Sequence, residues 1–123
     1  MYKVMWLLKR KPGITHEQFR EHYETSHAEL GKRYVGHLML GYHRHYDGAK
    51  KAGASFSTPL SSVTDYDCIS EWVMRDEAAF EEAMRIMAVP ENLKIFLEDE
   101  THFLDSASTR LLRCATGDTG TGA

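Results

Sequence analysis

Residues 21–30, EHYETSHAEL, place a tyrosine between two histidines. At 3.6 residues per turn, Phe19, Tyr23, His27, Leu30 and Tyr34 share one stripe of a helix, so a phenol and an imidazole point at the core together. A neutral histidine can remove a proton next to a carbonyl or phenol, and a tyrosine hydroxyl can stabilise the oxyanion that forms. Dehydration, aldol-type cyclisation, decarboxylation and retro-aldol cleavage all pass through such an enolate. Alternatively, His27 is a core histidine bonded to backbone and Tyr23 only packs. His22 lies one position off the stripe and is expected at the helix edge, and His16, in the first turn, is expected in solvent.

A second cluster follows in residues 41–46, GYHRHY. Strand alternation puts His43 and His45 on one face and Tyr42, Arg44 and Tyr46 on the other. An unpaired charge is costly to bury, so the Arg44 face is expected to look outward or to a partner. That turns His43 toward the helices as a second acid/base or orienting group. An H-x-H pair can bind zinc or copper, but no Asp, Glu or Cys at fitting spacing completes a ligand set, so no metal is expected. Cys68 and Cys114 make neither a CxxC nor a disulfide framework, and no basic neighbour lowers a thiol pKa; they read as small core residues. No phosphate loop, nucleotide fingerprint or flavin motif occurs, and no cofactor is expected.

These groups must be positioned by a short run of elements. Residues 2–10 are β-rich and are broken by Lys-Pro-Gly. Thr15 with Gln18 forms a capping box and Ile14 with Phe19 a hydrophobic staple, so a helix is expected over residues 16–34. Residues 37–46 read as a second strand and residues 66–74 as a third. Between them residues 47–64, rich in Gly, Ala and Ser, read as a loop near the pocket mouth, a lid or an arm over a partner. Residues 76–88 form a helix with Phe80, Ala83, Met84 and Met87 on its apolar side, and Pro90 restarts it with Leu93, Phe96, Leu97, Phe103 and Leu104 inward. Residues 108–114 close as a fourth strand. One domain is expected over residues 1–115, with 116–123 as a disordered tail.

The order βαβ-βαβ implies an α+β fold, the ferredoxin-like βαββαβ with a four-stranded antiparallel sheet and both helices on one face. The bare face is expected to pack on a second copy, giving a homodimer and a dimeric α+β barrel. In strands one and three, Val4, Trp6, Leu8, Tyr66, Cys68, Ser70 and Trp72 carry no charge, whereas the alternate set includes Lys3, Lys9, Asp67 and Glu71. The uncharged set should line the interior and the mixed set should face the partner. A binding cavity would then be walled by Trp6, Trp72, Tyr66 and Ser70 from the sheet, and by Phe80, Met84, Met87 and Phe96 from the helices, although those last four are most simply core.

At 123 residues the chain holds one core. A net charge of -3 with no basic stripe excludes nucleic acid as an expected partner. No apolar run approaches the ~20 residues of a membrane span, and the N-terminus enters a strand without a leader pattern, so no membrane partner and a cytoplasmic location are expected.

Residues 7–30, LLKRKPGITHEQFREHYETSHAEL, resemble the N-terminal signature of EthD-domain proteins: a strand ending in Lys/Arg, Arg-Lys-Pro-Gly, a Thr/Ser cap, a Phe-x-x-x-Tyr helix and a late His. YDCISEW and EDETHFLD sit where that family has its third strand and its approach to the fourth. The resemblance spans about residues 2 to 114. The family commonly has His-x-Pro-Leu where this chain has HAEL, which lets the helix continue to Tyr34. The resemblance implies a dimeric α+β barrel with a cavity between sheet and helices, and relatives that include cyclases, decarboxylases, dehydratases and cofactor-independent monooxygenases. The resulting expectation is a cofactor-independent lyase, dehydratase or cyclase acting on a small, apolar, aromatic or phenolic molecule. His27 would be the base, Tyr23 the hydrogen-bond donor and His43 a second acid/base. The alternatives are a dimeric ligand-binding or accessory protein without turnover, and a cofactor-free monooxygenase with its substrate beside Trp6.

Overall fold

The computed structural model describes residues 1–50 and 65–122. Strand β1 (Tyr2–Leu8) ends two residues early, because Arg10 leaves its ladder for an isolated bridge to Leu104. Gly13 takes a φ of 90°, open to glycine at no steric cost, and turns the chain into a helix. The capping box forms as its spacing predicts: the Gln18 N–H donates to the Thr15 hydroxyl at 3.0 Å, and the Thr15 N–H donates to Gln18 Oε1 at 2.9 Å. Helix α1 (His16–His22), a π-helical turn (Tyr23–His27) and helix α2 (Ala28–Val35) make one continuous run. Strand β2 (Met39–Tyr46) and strand β3 (Cys68–Met74) follow, then helix α3 (Glu77–Ala88), whose Asp76 cap accepts the Ala79 N–H at 2.8 Å. Helix α4 (Pro90–Glu100) opens on its proline, which has no N–H to leave unpaired, and β4 (Arg110–Arg113) completes the sheet.

The sheet order is β2-β3-β1-β4 with every neighbour antiparallel, the ferredoxin-like α+β arrangement. Val4 lies opposite Trp72, Trp6 opposite Ser70 and Leu8 opposite Cys68, so the uncharged alternation of β1 and β3 faces the helices together. Two apolar clusters result. One gathers Val4, Val35, Trp72, Met74 and Phe80, and the other Leu8, Phe19, Tyr23, Cys68 and Phe103; Trp6 and Tyr42 touch both. The other side of the sheet carries Met5, Leu7, Ile69 and Leu112, with Lys3 and Glu71 paired at 3.7 Å. Among the described residues no helix is long and apolar enough to cross a membrane.

Three expectations are overturned. Strand β2 is turned the other way: Tyr42 pairs with Trp72, Arg44 with Ser70 and Tyr46 with Cys68, so Arg44 faces the helices, and His43 and His45 face away. The charge is admitted because it is paired. Glu24 on the π turn accepts Arg44 Nε at 2.6 Å, Arg44 Nη2 at 3.1 Å and the Tyr46 hydroxyl at 2.6 Å. Asp67 does not look toward a partner; it is 1% exposed, and it accepts the Arg10 N–H and bonds His16 Nδ1, both at 2.8 Å. His16 is accordingly buried rather than solvated. Of the expected lid, residues 51–64 lie outside the described residues. Its start is tied down, since the Asp47 N–H donates to the Asp67 carbonyl at 2.9 Å and Lys50 Nζ to the Tyr66 carbonyl at 2.7 Å.

Candidate active site

The inward positions of the first helical run are Phe19, Tyr23, Ala28, Gly31 and Val35, with a step of five between Tyr23 and Ala28. There the Ala28 N–H bonds the Tyr23 carbonyl, the i to i−5 pattern of a π turn. The inserted residue shifts the stripe by one, so Gly31 and Val35 take the places that straight α-periodicity assigns to Leu30 and Tyr34. It also leaves His27 at the inward edge beside Ala28. Missing its side chain, Gly31 makes room for Tyr42: a Cβ there would sit 3.4 Å from Tyr42 Cε2.

Between sheet and helices lies a cavity of about 250 Å³. Trp6, Trp72 and Tyr42 form its sheet wall, Met84, Met87 and Phe96 part of its helix wall, and Tyr23, His27 and Glu100 its polar groups. The two indole rings lie 5.3 Å apart, tilted by 56°. Their N–H groups are the buried side-chain polar atoms without a partner among the described residues.

His27 is fixed by α4. Its Nδ1 lies 2.9 Å from Asp99 Oδ2, while Asp99 Oδ1 takes the Ser26 hydroxyl at 2.6 Å and His22 Nε2 at 3.0 Å. Burial pulls the Asp99 carboxyl upward, but the bonds from Ser26, His27 and His22 outweigh it and hold the group below the usual carboxylate range. Burial lowers the His27 pKa, which the Asp99 contact only partly opposes, so the ring is neutral near pH 7. A neutral ring that donates Nδ1–H to a carboxylate keeps its lone pair on Nε2. The side chain lines the cavity, and that nitrogen is its basic atom.

Tyr23 is 2% exposed, and its hydroxyl lies 2.6 Å from Ser70 Oγ and 2.8 Å from the Tyr42 hydroxyl. Burial raises its pKa well above the ordinary tyrosine value and pushes Tyr42 up to about 12, so both stay protonated. When Ser70 and Tyr42 both donate into the Tyr23 oxygen, the Tyr23 proton is left for a third acceptor. Cys68, pushed to about 12 by burial, is an inert thiol.

Of the residues singled out by sequence, Tyr23, His27, Trp6, Trp72, Met84, Met87 and Phe96 meet at this cavity. Ser70 does not line it and acts on Tyr23 instead. Phe80 is fully buried behind Trp72 and Tyr2, a core residue. Tyr66 precedes the start of β3 and is not among the residues that line the cavity. His43 is on the opposite face of the sheet, opposite Glu71. Sequence reasoning missed Tyr42, because β2 was assigned the wrong face. It also missed Asp99 and Glu100, in an acidic run whose partner stands 72 residues away.

The sequence matches the EthD domain over residues 11–107. It is 27% identical over 110 residues to the conidial pigment biosynthesis dehydratase EthD of Metarhizium robertsii, covering 83% of this chain and 72% of that protein. Among solved structures, the Arabidopsis thaliana protein At3g17210 superposes with a TM-score of 0.61 at 19% identity, covering 97% of this chain and 98% of the other. An EthD family protein of Bacillus halodurans C-125 superposes with a TM-score of 0.60 at 17% identity, covering 95% and 100%.

Proposed function

The chain belongs to the EthD domain family, and on that premise we propose that it is a dehydratase-type lyase, independent of a cofactor, acting on a small aromatic or phenolic ketone. One observation carries this reading: a buried histidine whose Nδ1 is held by an ionised carboxylate and whose side chain lines an apolar cavity. That is the arrangement of a general base with a fixed tautomer. The name of the Metarhizium relative supports loss of water as the reaction.

In this reading the substrate ring lies against Trp6 and Trp72, with Phe96 and the methionines closing the other side. His27 Nε2 takes the proton next to the carbonyl, and the Tyr23 hydroxyl donates to the enolate oxygen, its own position fixed by Ser70 and Tyr42. A cavity of about 250 Å³ is below the usual range for drug-sized ligands and suits one or two fused rings. A passive carrier is disfavoured because His27 and Tyr23 turn their polar atoms to separate partners beside open space instead of satisfying each other.

The apolar strip of Met5, Leu7, Ile69 and Leu112 further supports a homodimer through the bare sheet face; a monomeric mass by light scattering at micromolar concentration would refute that. The chemistry is tested by following deuterium uptake from D2O at the α-carbon of 1-tetralone. Exchange should rise with pH along a single limb centred below the ordinary histidine value of 6.5, because burial lowers the pKa of the base. Absence of catalysed exchange, with the ligand shown to bind, would refute it.

A further inference from the structure

Asp99 and Glu100 are consecutive carboxyls at the end of α4, and about 100° of helix rotation separates them. Asp99 points at the π turn and holds His27, while Glu100 lines the cavity itself. Their surroundings differ in kind. Asp99 accepts hydrogen bonds from Ser26, His22 and His27. Glu100 has one long contact, 3.5 Å from Ser106 Oγ to Oε2, and among the described residues no Lys or Arg pairs with it or lines the cavity. Burial, with the Asp99 charge adding to it, pushes the Glu100 carboxyl up. Two neighbouring carboxyls driven apart in this way are the mark of an assigned acid and an assigned charge.

We propose that Glu100 is a catalytic residue, the general acid that protonates the leaving hydroxyl from within the cavity that His27 also lines. This rests on the dehydratase reading above. His27 Nε2 removes the α-proton and the C–H electrons form the enolate. As the enolate collapses to the C=C bond, the β-carbon–oxygen bond breaks, and the departing hydroxide takes the Glu100 proton and leaves as water. The enzyme then holds imidazolium and carboxylate, and transfer of the proton from His27 to Glu100 restores both. Substrate goes to product plus water with no other reactant.

The test separates the two steps in the full-length chain. 1-Tetralone can only enolise, which deuterium uptake from D2O reads, whereas 3-hydroxy-1-tetralone loses water to give 1-naphthol, which fluorescence reads. Quenching of tryptophan fluorescence by 1-naphthol checks that each variant keeps its cavity. Glu100→Gln should slow water loss by about 10²-fold or more and slow deuterium exchange by a far smaller factor. It should also abolish the fall in dehydration rate at high pH that deprotonation of Glu100 causes. His27→Asn should lose both reactions. Wild-type rates of water loss in Glu100→Gln would overturn the role of Glu100 and leave the base standing. Equal loss of exchange and water loss in that variant would make Glu100 a wall of the pocket instead of its acid. Wild-type protein that binds 1-naphthol yet does neither reaction would overturn the dehydratase reading and this proposal together.

Discussion

His27→Asn separates chemistry from packing, because asparagine can keep one bond of the histidine and lose the other function. Its Nδ2–H reaches the position of His Nδ1 and can still donate to Asp99 Oδ2, now 2.9 Å from the ring. The basic Nε2 is gone, along with Cε1 of the ring. That ring packs 5.0 Å from Phe103, 5.5 Å from Tyr23 and 6.0 Å from Phe96 between centroids. Removing a fragment of that size from a packed site costs about 1–2 kcal/mol, which for a domain of this length lowers Tm by about 3–8 °C. If the retained bond to Asp99 holds, the fold survives and deuterium exchange into 1-tetralone falls by about 10²- to 10⁴-fold. Stability against pH gives a second reading. Burial lowers the folded pKa of His27, so the unfolded chain binds more protons below pH 6.5 and the wild-type protein loses stability as pH falls through the folded value. The variant lacks that loss, and the stability gap between the two should narrow from pH 7.5 to pH 5.5 in guanidinium titrations. A gap that widens would refute the buried, neutral state of His27. Undiminished exchange in folded His27→Asn would remove it from the chemistry.

Three further outcomes follow from the contacts. Tyr23→Phe removes the shared partner of Ser70 and Tyr42 and should cost about 1–3 kcal/mol in denaturant titrations; exchange should slow by up to about 10²-fold, as for loss of one oxyanion donor. Asp67→Ala strands the Arg10 N–H and His16 Nδ1 in the interior and should destabilise by about 3 kcal/mol or more, without changing the deuterium exchange rate of folded protein. Gly31→Ala places a Cβ in ordinary contact with Tyr42 and should stabilise by about 0.5–1 kcal/mol through helix propensity, while Gly31→Leu should fill the cavity and abolish 1-naphthol binding.

The sequence alone determined what local rules govern. The Thr15–Gln18 capping box, the proline opening α4, and the alternation that sends Val4, Leu8, Cys68 and Trp72 inward are each set by residues near in sequence, and together they dictate a ferredoxin-like sheet with its helices on one side. The pairing of Tyr23 with His27 on an inward helix edge was legible for the same reason. Other features depended on partners brought from afar. A charge rule applied to β2 by itself turned Arg44 outward, because nothing in GYHRHY reveals that Glu24 waits across the interface to neutralise it. The same blindness hid Tyr42 and misplaced His43. Asp67 drew His16 inside and tied down the Arg10 N–H by pairing across 51 and 57 residues, and Asp99 fixed the tautomer of His27 across 72. The π turn belongs with these, since a five-residue step between Tyr23 and Ala28 leaves no mark in a sequence that reads as a continuous helix. Apolar periodicity is a property of one element and can be read along the chain. Whether a buried charge is tolerated, or which nitrogen of a histidine carries its proton, depends on the field of groups the fold assembles around it, and only the tertiary structure decides that.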